Sequence, residues 1–291
     1  MPKTEIINQD PFCDVRIKQL EHEGNRLDKF VVEMEAPENG GYRVLPGTNT
    51  VHSENYQLIP NLRIHQMVLD VLSRTGREFA PVPEFGGGYS KSICWNGKKY
   101  CERWYLQDAE QVLPNGNNIT LGLEAFNSYD GSLAAGIRFF VMHMLCSNQF
   151  YSSNLLKEFI FYHYRSANGN LEADIDETVG HINSQAVNFT KIVPFFSTLQ
   201  EKQIDKFDDF LKIRQGINTF WTKSRENDVL DEMSGNGITA QLGMAQNTDT
   251  NLSYWKLLNA YTAVSTHRIG GFPGARLSEQ VTDHFQQLVA A

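Results

Sequence analysis

The chain has 291 residues, of which 41% are hydrophobic and 21% charged, and its formal net charge is −8. This is the composition of an ordinary globular protein with enough chain to bury a large core. The negative charge excludes broad, non-specific attraction to nucleic acid over the whole surface. No apolar run reaches the length needed to span a bilayer, and the opening MPKTEIINQDPFCDV lacks the apolar region of a secretory signal. The expected location is therefore the cytoplasm of a bacterial host cell. Cys13, Cys94, Cys101 and Cys146 show no C-x-x-C spacing, which points to free thiols rather than a disulfide framework.

Residues 1–41 read as an extended, acidic lead containing a short strand at Phe30-Val31-Val32 and a turn at Asn39-Gly40-Gly41. Tyr42–Leu45 reads as a strand closed by Pro46-Gly47. Asn61–Arg74 reads as an amphipathic helix, because Leu62, His65, Val68, Leu69 and Leu72 recur at helical spacing and Gly76 follows. A β-rich block comes next. Pro81 and Pro83 confine its first strand to an edge. Tyr89–Trp95 and Lys98–Leu106 flank Asn96-Gly97, a strong hairpin signal. With Asn96 and Gly97 as the turn, Cys94 faces Lys99, so Cys94 and Cys101 are out of register for a cross-strand disulfide.

Asn118–Phe150 marks the core. Ile119, Leu121 and Leu123 alternate with Thr120, Gly122 and Glu124, the period of a half-buried strand. Asn127 to Gly131 supplies turn chemistry. Leu133–Leu145 is almost continuously apolar, as in an element buried on two sides, and is interrupted by Arg138 and His143. Beyond Phe150 the pattern becomes helical, with helices expected over Ser153–Tyr164, Ala173–Thr190, Gln200–Asn218, Leu252–Thr266 and Ser278–Val289. The polar stretch Asp231–Thr250, rich in Gly and Asn, reads as a long loop. Strands first and helices later predict an α+β fold. The expectation is a single domain over 1–291, with an extended segment 1–41, a sheet-rich core 42–150 and a helical part 151–291. Its central, mainly antiparallel sheet is expected over residues 42–145.

Two patches carry a family resemblance. Asn127, Ser128, Asp130, Gly131 and Ser132, followed by Arg138 and by Leu145-Cys146-Ser147-Asn148, form the first. Trp255, Asn259-Ala260, Thr262 and Thr266-His267 form the second. Together they resemble the phage- and plasmid-borne family catalogued as domain of unknown function 932. The resemblance spans about Tyr42 to His267, and dense matching is confined to roughly 30 residues. It implies a mobile-element origin and a fold, not a reaction.

Four constellations have chemical potential. The hairpin Tyr89–Tyr105 mixes Lys91, Lys98, Lys99 and Arg103 with Tyr89, Trp95, Tyr100, Trp104 and Tyr105. Aromatic faces stack on unpaired bases while Lys and Arg follow phosphates; the competing reading is a strand pair with aromatics inward and lysines solvated. Asp174, Glu177 and His181 share a helix face that can hold a metal, or simply form a solvated acidic helix start. Arg138 and His143 are a buried-looking pair in the apolar run; a buried Arg needs a partner, Asp130 or Glu124 is the obvious one, and the readings are a structural ion pair or a catalytic one. Thr266–Arg276 is a glycine-rich connection whose Arg268 and Arg276 can meet phosphate at the start of the last helix, or merely link two helices. No P-loop, G-x-S-x-G, H-E-x-x-H or G-x-G-x-x-G stands in a supporting context.

The leading expectation is a non-enzymatic single-stranded DNA-binding or annealing protein of a phage or plasmid, supporting replication or recombination. Its contacts would be Lys91, Trp95, Lys98, Lys99, Arg103, Trp104, Arg268 and Arg276. The second is a host-takeover or anti-defence protein that binds a host protein or a small nucleotide through its acidic surface. A metal-dependent nuclease ranks third. The expected partners are single-stranded nucleic acid, a host protein in the second reading, and further copies of the chain. No cofactor, metal or membrane contact is expected.

Overall fold

The computed structural model describes residues 12–36, 40–44, 52–82, 91–94, 99–152, 156, 158–161, 171–244 and 252–290. The class is α+β, with antiparallel sheets in the first half and helices through most of the second. Among the described residues no helix is long and apolar enough to cross a membrane.

The N-terminal part departs from the expected extended lead. Val15–His22 (β1) and Asn25–Ala36 (β2) form a hairpin whose turn residues Glu23 and Gly24 both take positive φ, 51° and 78°. Two left-handed central residues match a tight turn to the strand twist. Gly41–Val44 (β3) pairs with β2, so Tyr42 belongs to this small three-stranded sheet and not to the main one. The hairpin escapes the sequence because its outer half is solvated on both faces, which erases the alternation. Only the inner half packs: Val15, Val32 and Met34 join Tyr56 and Tyr129 in a small core.

Asn61–Arg74 (α1) has the expected bounds, and Ile64, Met67, Val68, Val71 and Leu72 form its buried stripe. The main sheet is built on three long strands: Lys99–Leu106 (β6), Asn118–Ser128 (β8) and Ala135–His143 (β9). Short strands complete its margins: Phe79–Pro81 (β4) and Lys91–Cys94 (β5) both pair with β6, and Gln111–Val112 (β7) pairs with β8. Gln149–Phe150 (β10) and Glu158–Phe161 (β11) both pair with β9. The sheet therefore runs from Phe79 to Phe161 rather than over 42–145. The proline-limited strand is at an edge, as its sequence requires. Cys94 stands opposite Lys99 and Cys101 opposite Ser92, out of register for a disulfide. β8 is buried on both faces: Ile119, Leu121, Leu123 and Ala125 belong to the same core as α1, while Phe140 and Met142 of β9 form another with Tyr151 and Ala275. That two-sided burial explains the unbroken apolar run of β9.

The helix expected over Ser153–Tyr164 is instead strand β11, whose Glu-Phe-Ile-Phe sequence lies opposite residues 135–138. An apolar aromatic run beside an open strand gains more from pairing than from helical propensity. Leu171–Asn188 (α2) agrees with expectation. Of the helix expected over Gln200–Asn218, Gln200 and Glu201 instead end a separate helix, Val193–Glu201 (α3), and the rest holds Phe207–Ile217 (α4). The break occurs because Gln203 bridges to Ser253, with the Ile204 N–H donating to Leu252 O at 2.7 Å. The supposed long loop contains the end of Glu226–Met233 (α5) and a single helical turn, Ile238–Gln241 (α6). Tyr254–Ala263 (α7) continues into a π-helical turn, Val264–Ile269, before Gly271–Ala290 (α8).

Trp255 of α7 locks the halves together. It is fully buried and meets Phe150 of β10, Phe196 of α3 and His143 of β9 at ring-centre distances of 5.5, 5.6 and 5.4 Å. Gly122 of β8 is a second close fit, since a Cβ there would lie 2.3 Å from the buried Phe140 ring. Gly122→Ala is expected to lower unfolding free energy by about 1–3 kcal/mol through overpacking, read from urea denaturation midpoints.

Candidate functional site

The residues expected to contact nucleic acid stand in different settings. Lys91 stands opposite Glu102 in register, while Trp95 and Lys98 lie outside the described residues. Lys99 is half-buried, opposite Cys94 and Ser128. Arg103 is turned inward, its side chain 13% exposed and its Nε donating to Glu124 Oε2 at 2.5 Å. Trp104 packs against the main core and points its indole N–H at Glu102 Oε2, 3.4 Å away. Arg103 and Trp104 thus leave the expected contact surface, because β6 is an interior strand with packed layers on both faces. Arg268 is 49% exposed and pairs with Asp228 at 3.1 Å, and Arg276 is exposed near the start of α8. On α2, Glu177 pairs with His181 at 3.7 Å, and the Asp174 side chain lies outside the described residues. Among the described residues no three His, Cys, Asp or Glu side chains cluster as metal ligands.

Arg138 finds the partner its burial demanded. Arg103, Glu124 and Arg138 occupy one cross-strand row over β6, β8 and β9. The Arg138 Nε donates to Glu124 Oε1 at 2.8 Å, its Nη2 reaches the same oxygen, and the Tyr151 hydroxyl donates to Oε2 at 2.9 Å. Burial alone would raise the Glu124 carboxyl, but Arg103 and Arg138 outweigh it and hold the group below the usual carboxylate range. His143 is five residues further along β9 and therefore on the opposite face, so it is no part of this cluster.

His143 belongs to a different site, built by the turn between β9 and β10. Ser147 takes φ 52°, left-handed and unusual for a residue with a side chain. The turn is held in place by groups from the second half of the chain. Asn148 Nδ2 donates to Asn259 O and Oδ1, both at 3.2 Å. His267 Nε2 lies 2.8 Å from Cys146 O and 3.0 Å from Asn148 Oδ1. The Gln149 N–H donates to Thr266 Oγ1 at 3.1 Å. The two motif patches, separated by more than a hundred residues, are thus in direct contact. Beside them is a cavity of about 40 Å³ whose wall includes His143, Cys146, Asn148, Glu232, Lys256 and Asn259.

His143 Nδ1 and Cys146 Sγ are 2.9 Å apart, a nucleophile–base contact in form. Burial pushes the thiol up to about 12 and the imidazole down to about 4, so both are uncharged at neutral pH. Burial also lowers His267 to about 4. Among the described residues, His143 Nε2 and Asn259 Nδ2 are buried and meet no hydrogen-bond partner. The sequence signal for this site was present in the motif residues Cys146, Asn148, Asn259, Thr266 and His267. Spacing alone did not join them, because the contact spans the whole helical half. Comparison of the chain with models of protein families, with curated proteins and with solved structures gives no match.

Two outcomes follow from these charges. In the folded protein His143 and His267 stay neutral down to a pH near 4, whereas ordinary imidazoles protonate near 6.5. The unfolded chain then binds more protons between those values, so stability is expected to fall as pH drops from 6.5 towards 4. Denaturation midpoints across that range should show a shallower slope for His143→Gln and His267→Asn. Removing the Glu124 charge by Glu124→Gln leaves two buried guanidiniums without their anion and should cost about 3–5 kcal/mol at neutral pH. The difference from the parent should shrink as pH falls through the depressed carboxylate pKa, where the parent loses the same charge.

Proposed function

We propose that this chain is a non-enzymatic single-stranded nucleic-acid-binding protein, suited to replication or recombination of a phage or plasmid. The observation that carries the reading is the meeting of the two motif patches at a cavity whose wall includes the uncharged hydrogen-bonding side chains of His143, Asn148 and Asn259. His267 bonds two residues of that wall, and the next residue is the half-exposed Arg268. Uncharged hydrogen-bonding groups suit base edges and cations suit phosphates. The Arg268–Asp228 pair is no obstacle, since an exposed ion pair contributes little and exchanges readily for another anion. Arg276, Lys91 and Lys99, with Trp95 and Lys98 of the hairpin, are the further contacts in this reading. A thiolate mechanism at Cys146 has no support, because the thiol and its imidazole neighbour are both held neutral.

Fluorescence anisotropy with a labelled thymine 20-mer tests the proposal. Binding is expected in the micromolar range at about 50 mM salt and should weaken steeply as salt rises. Replacing Arg268 and Arg276 together by Ala should flatten the log–log salt slope by about 1.4, the value for two single-strand phosphate contacts. No binding at that salt ends the reading. A protein partner retained from host lysate after nuclease treatment would instead favour the acidic surface as a docking face for a basic host protein.

A further inference from the structure

The turn between α5 and α6 carries a reactive pair of residues. The sequence holds five Asn-Gly pairs, beginning at Asn39, Asn96, Asn115, Asn168 and Asn236. Gly has no side chain to hinder attack of its backbone nitrogen on the preceding Asn amide. Two of the pairs lie wholly within the described residues, Asn115-Gly116 and Asn236-Gly237, and their settings differ. The Gly116 N–H donates to Leu113 O at 2.8 Å, so its nitrogen can react only after that bond breaks. Asn115 Oδ1 also accepts from the Asn117 N–H at 3.0 Å. Asn236, by contrast, is exposed, and its side-chain amide makes one long contact, Nδ2 to Ser234 Oγ at 3.4 Å. Among the described residues nothing accepts from the Gly237 N–H.

We propose that Asn236 is a site of spontaneous modification, an amide that converts to a carboxylate and thereby unseats α6. Solvent base takes the proton from the Gly237 nitrogen, which attacks Asn236 Cγ. The N–Cγ bond forms, the Cγ–Nδ2 bond breaks, and Nδ2 takes up a proton from solvent and leaves as ammonia. Water then opens the cyclic imide at either carbonyl. Opening at Cγ restores an ordinary backbone with a side-chain carboxylate. Opening at the backbone carbonyl leaves an isoaspartyl link, in which the chain runs through the side chain and is one carbon longer. Water is the sole co-reactant, and nothing is oxidised or reduced.

Both products disturb the turn. A Cβ on Gly237 would lie 2.4 Å from Glu232 Cα and 2.6 Å from Glu232 N, so the end of α5 leaves no room for a longer chain. The shorter product adds a negative charge close to Asp231, whose carbonyl already accepts from the Asn236 N–H at 2.9 Å. The neighbouring Glu232 is what holds α6, accepting from the Thr239 N–H at 3.2 Å and from the Thr239 hydroxyl. Glu232, Gly235 and Thr239 also form part of the cavity wall, so release of α6 opens the cavity beside the two motif patches.

Peptide mapping by mass spectrometry tests the site, using the full chain aged in mildly alkaline buffer at a temperature where it stays folded. Conversion at Asn236 is expected to outpace conversion at Asn115 by about fivefold or more, the worth of the hydrogen bond that Gly116 keeps. The same chain aged in denaturant should convert both positions at comparable rates. Equal or slower conversion at Asn236 in the folded chain, or the same ratio in denaturant, overturns the inference. Hydrogen exchange reads the consequence. The amides of Ile238–Gln241 should exchange faster in the aged folded chain than in Asn236→Gln aged alike, whose longer side chain closes the ring far more slowly. Equal exchange in a sample already converted at Asn236 overturns the release of α6.

Discussion

Glu124 lies fully buried between Arg103 and Arg138, and its charge limits how the three long strands can lie. The register that brings the row together also puts Leu121, Leu123 and Ala125 on the side of α1. A slip of one residue would send the carboxylate into that apolar layer and the leucines to the opposite face. One carboxylate between two guanidiniums also leaves a net positive charge on this face. The chain after β10 answers it: Tyr151 donates to Glu124 and stacks beneath Arg138, while its backbone N–H donates to Ser278 of α8 at 3.4 Å. The ion cluster thereby helps decide where the last helix lies.

The other end of β9 is governed by amide chemistry rather than by charge. The turn through Ser147 is left-handed, a conformation that persists only where surroundings over-determine it. Here the surroundings are Asn259, Thr266 and His267, supplied by α7 and the π-helical turn that follows it. A wide helical turn displaces its own residues from the positions of an α-helical continuation, and in this protein the turn contains Thr266, His267 and Arg268. Local irregularity in one half of the chain thus supports local irregularity in the other.

Much of this was legible from residue order. The bounds of α1, the existence of strand β8, the edge placement forced by Pro81 and the need of Arg138 for a carboxylate each have their counterpart in the structure, whereas Leu62 and Leu69 of the expected α1 stripe are exposed and β8 is buried on both faces rather than one. What stayed hidden depended on pairing at a distance. Glu158–Phe161 becomes a strand because β9 is there to receive it, and Gln203 breaks a helix because Ser253 reaches it. Of the hairpin of β1 and β2 only the strand at Phe30–Val32 was legible, since its outer half is solvated on both faces and has no hydrophobic period to read. At the candidate site the motif residues were visible but their meeting was not, and Arg103 looked like a surface cation because its carboxylate partner sits on a different strand.

The division of the sheet margin among short strands bears on how the molecule behaves in a crowd. β4 and β5 share one flank of β6, and β10 and β11 share one flank of β9. Each outer strand has at most four residues. A foreign strand laid against either flank meets, among the described residues, only short rows of hydrogen-bonding groups, and one of these rows includes Pro81, which has no N–H to offer. The longer outer strand of the small sheet, β1, carries Arg16 and Lys18, whose cationic ends resist a neighbouring chain of the same kind. Among the described residues, the margins of the wide, apolar main sheet offer no long outer strand as a template on which copies of the chain can stack.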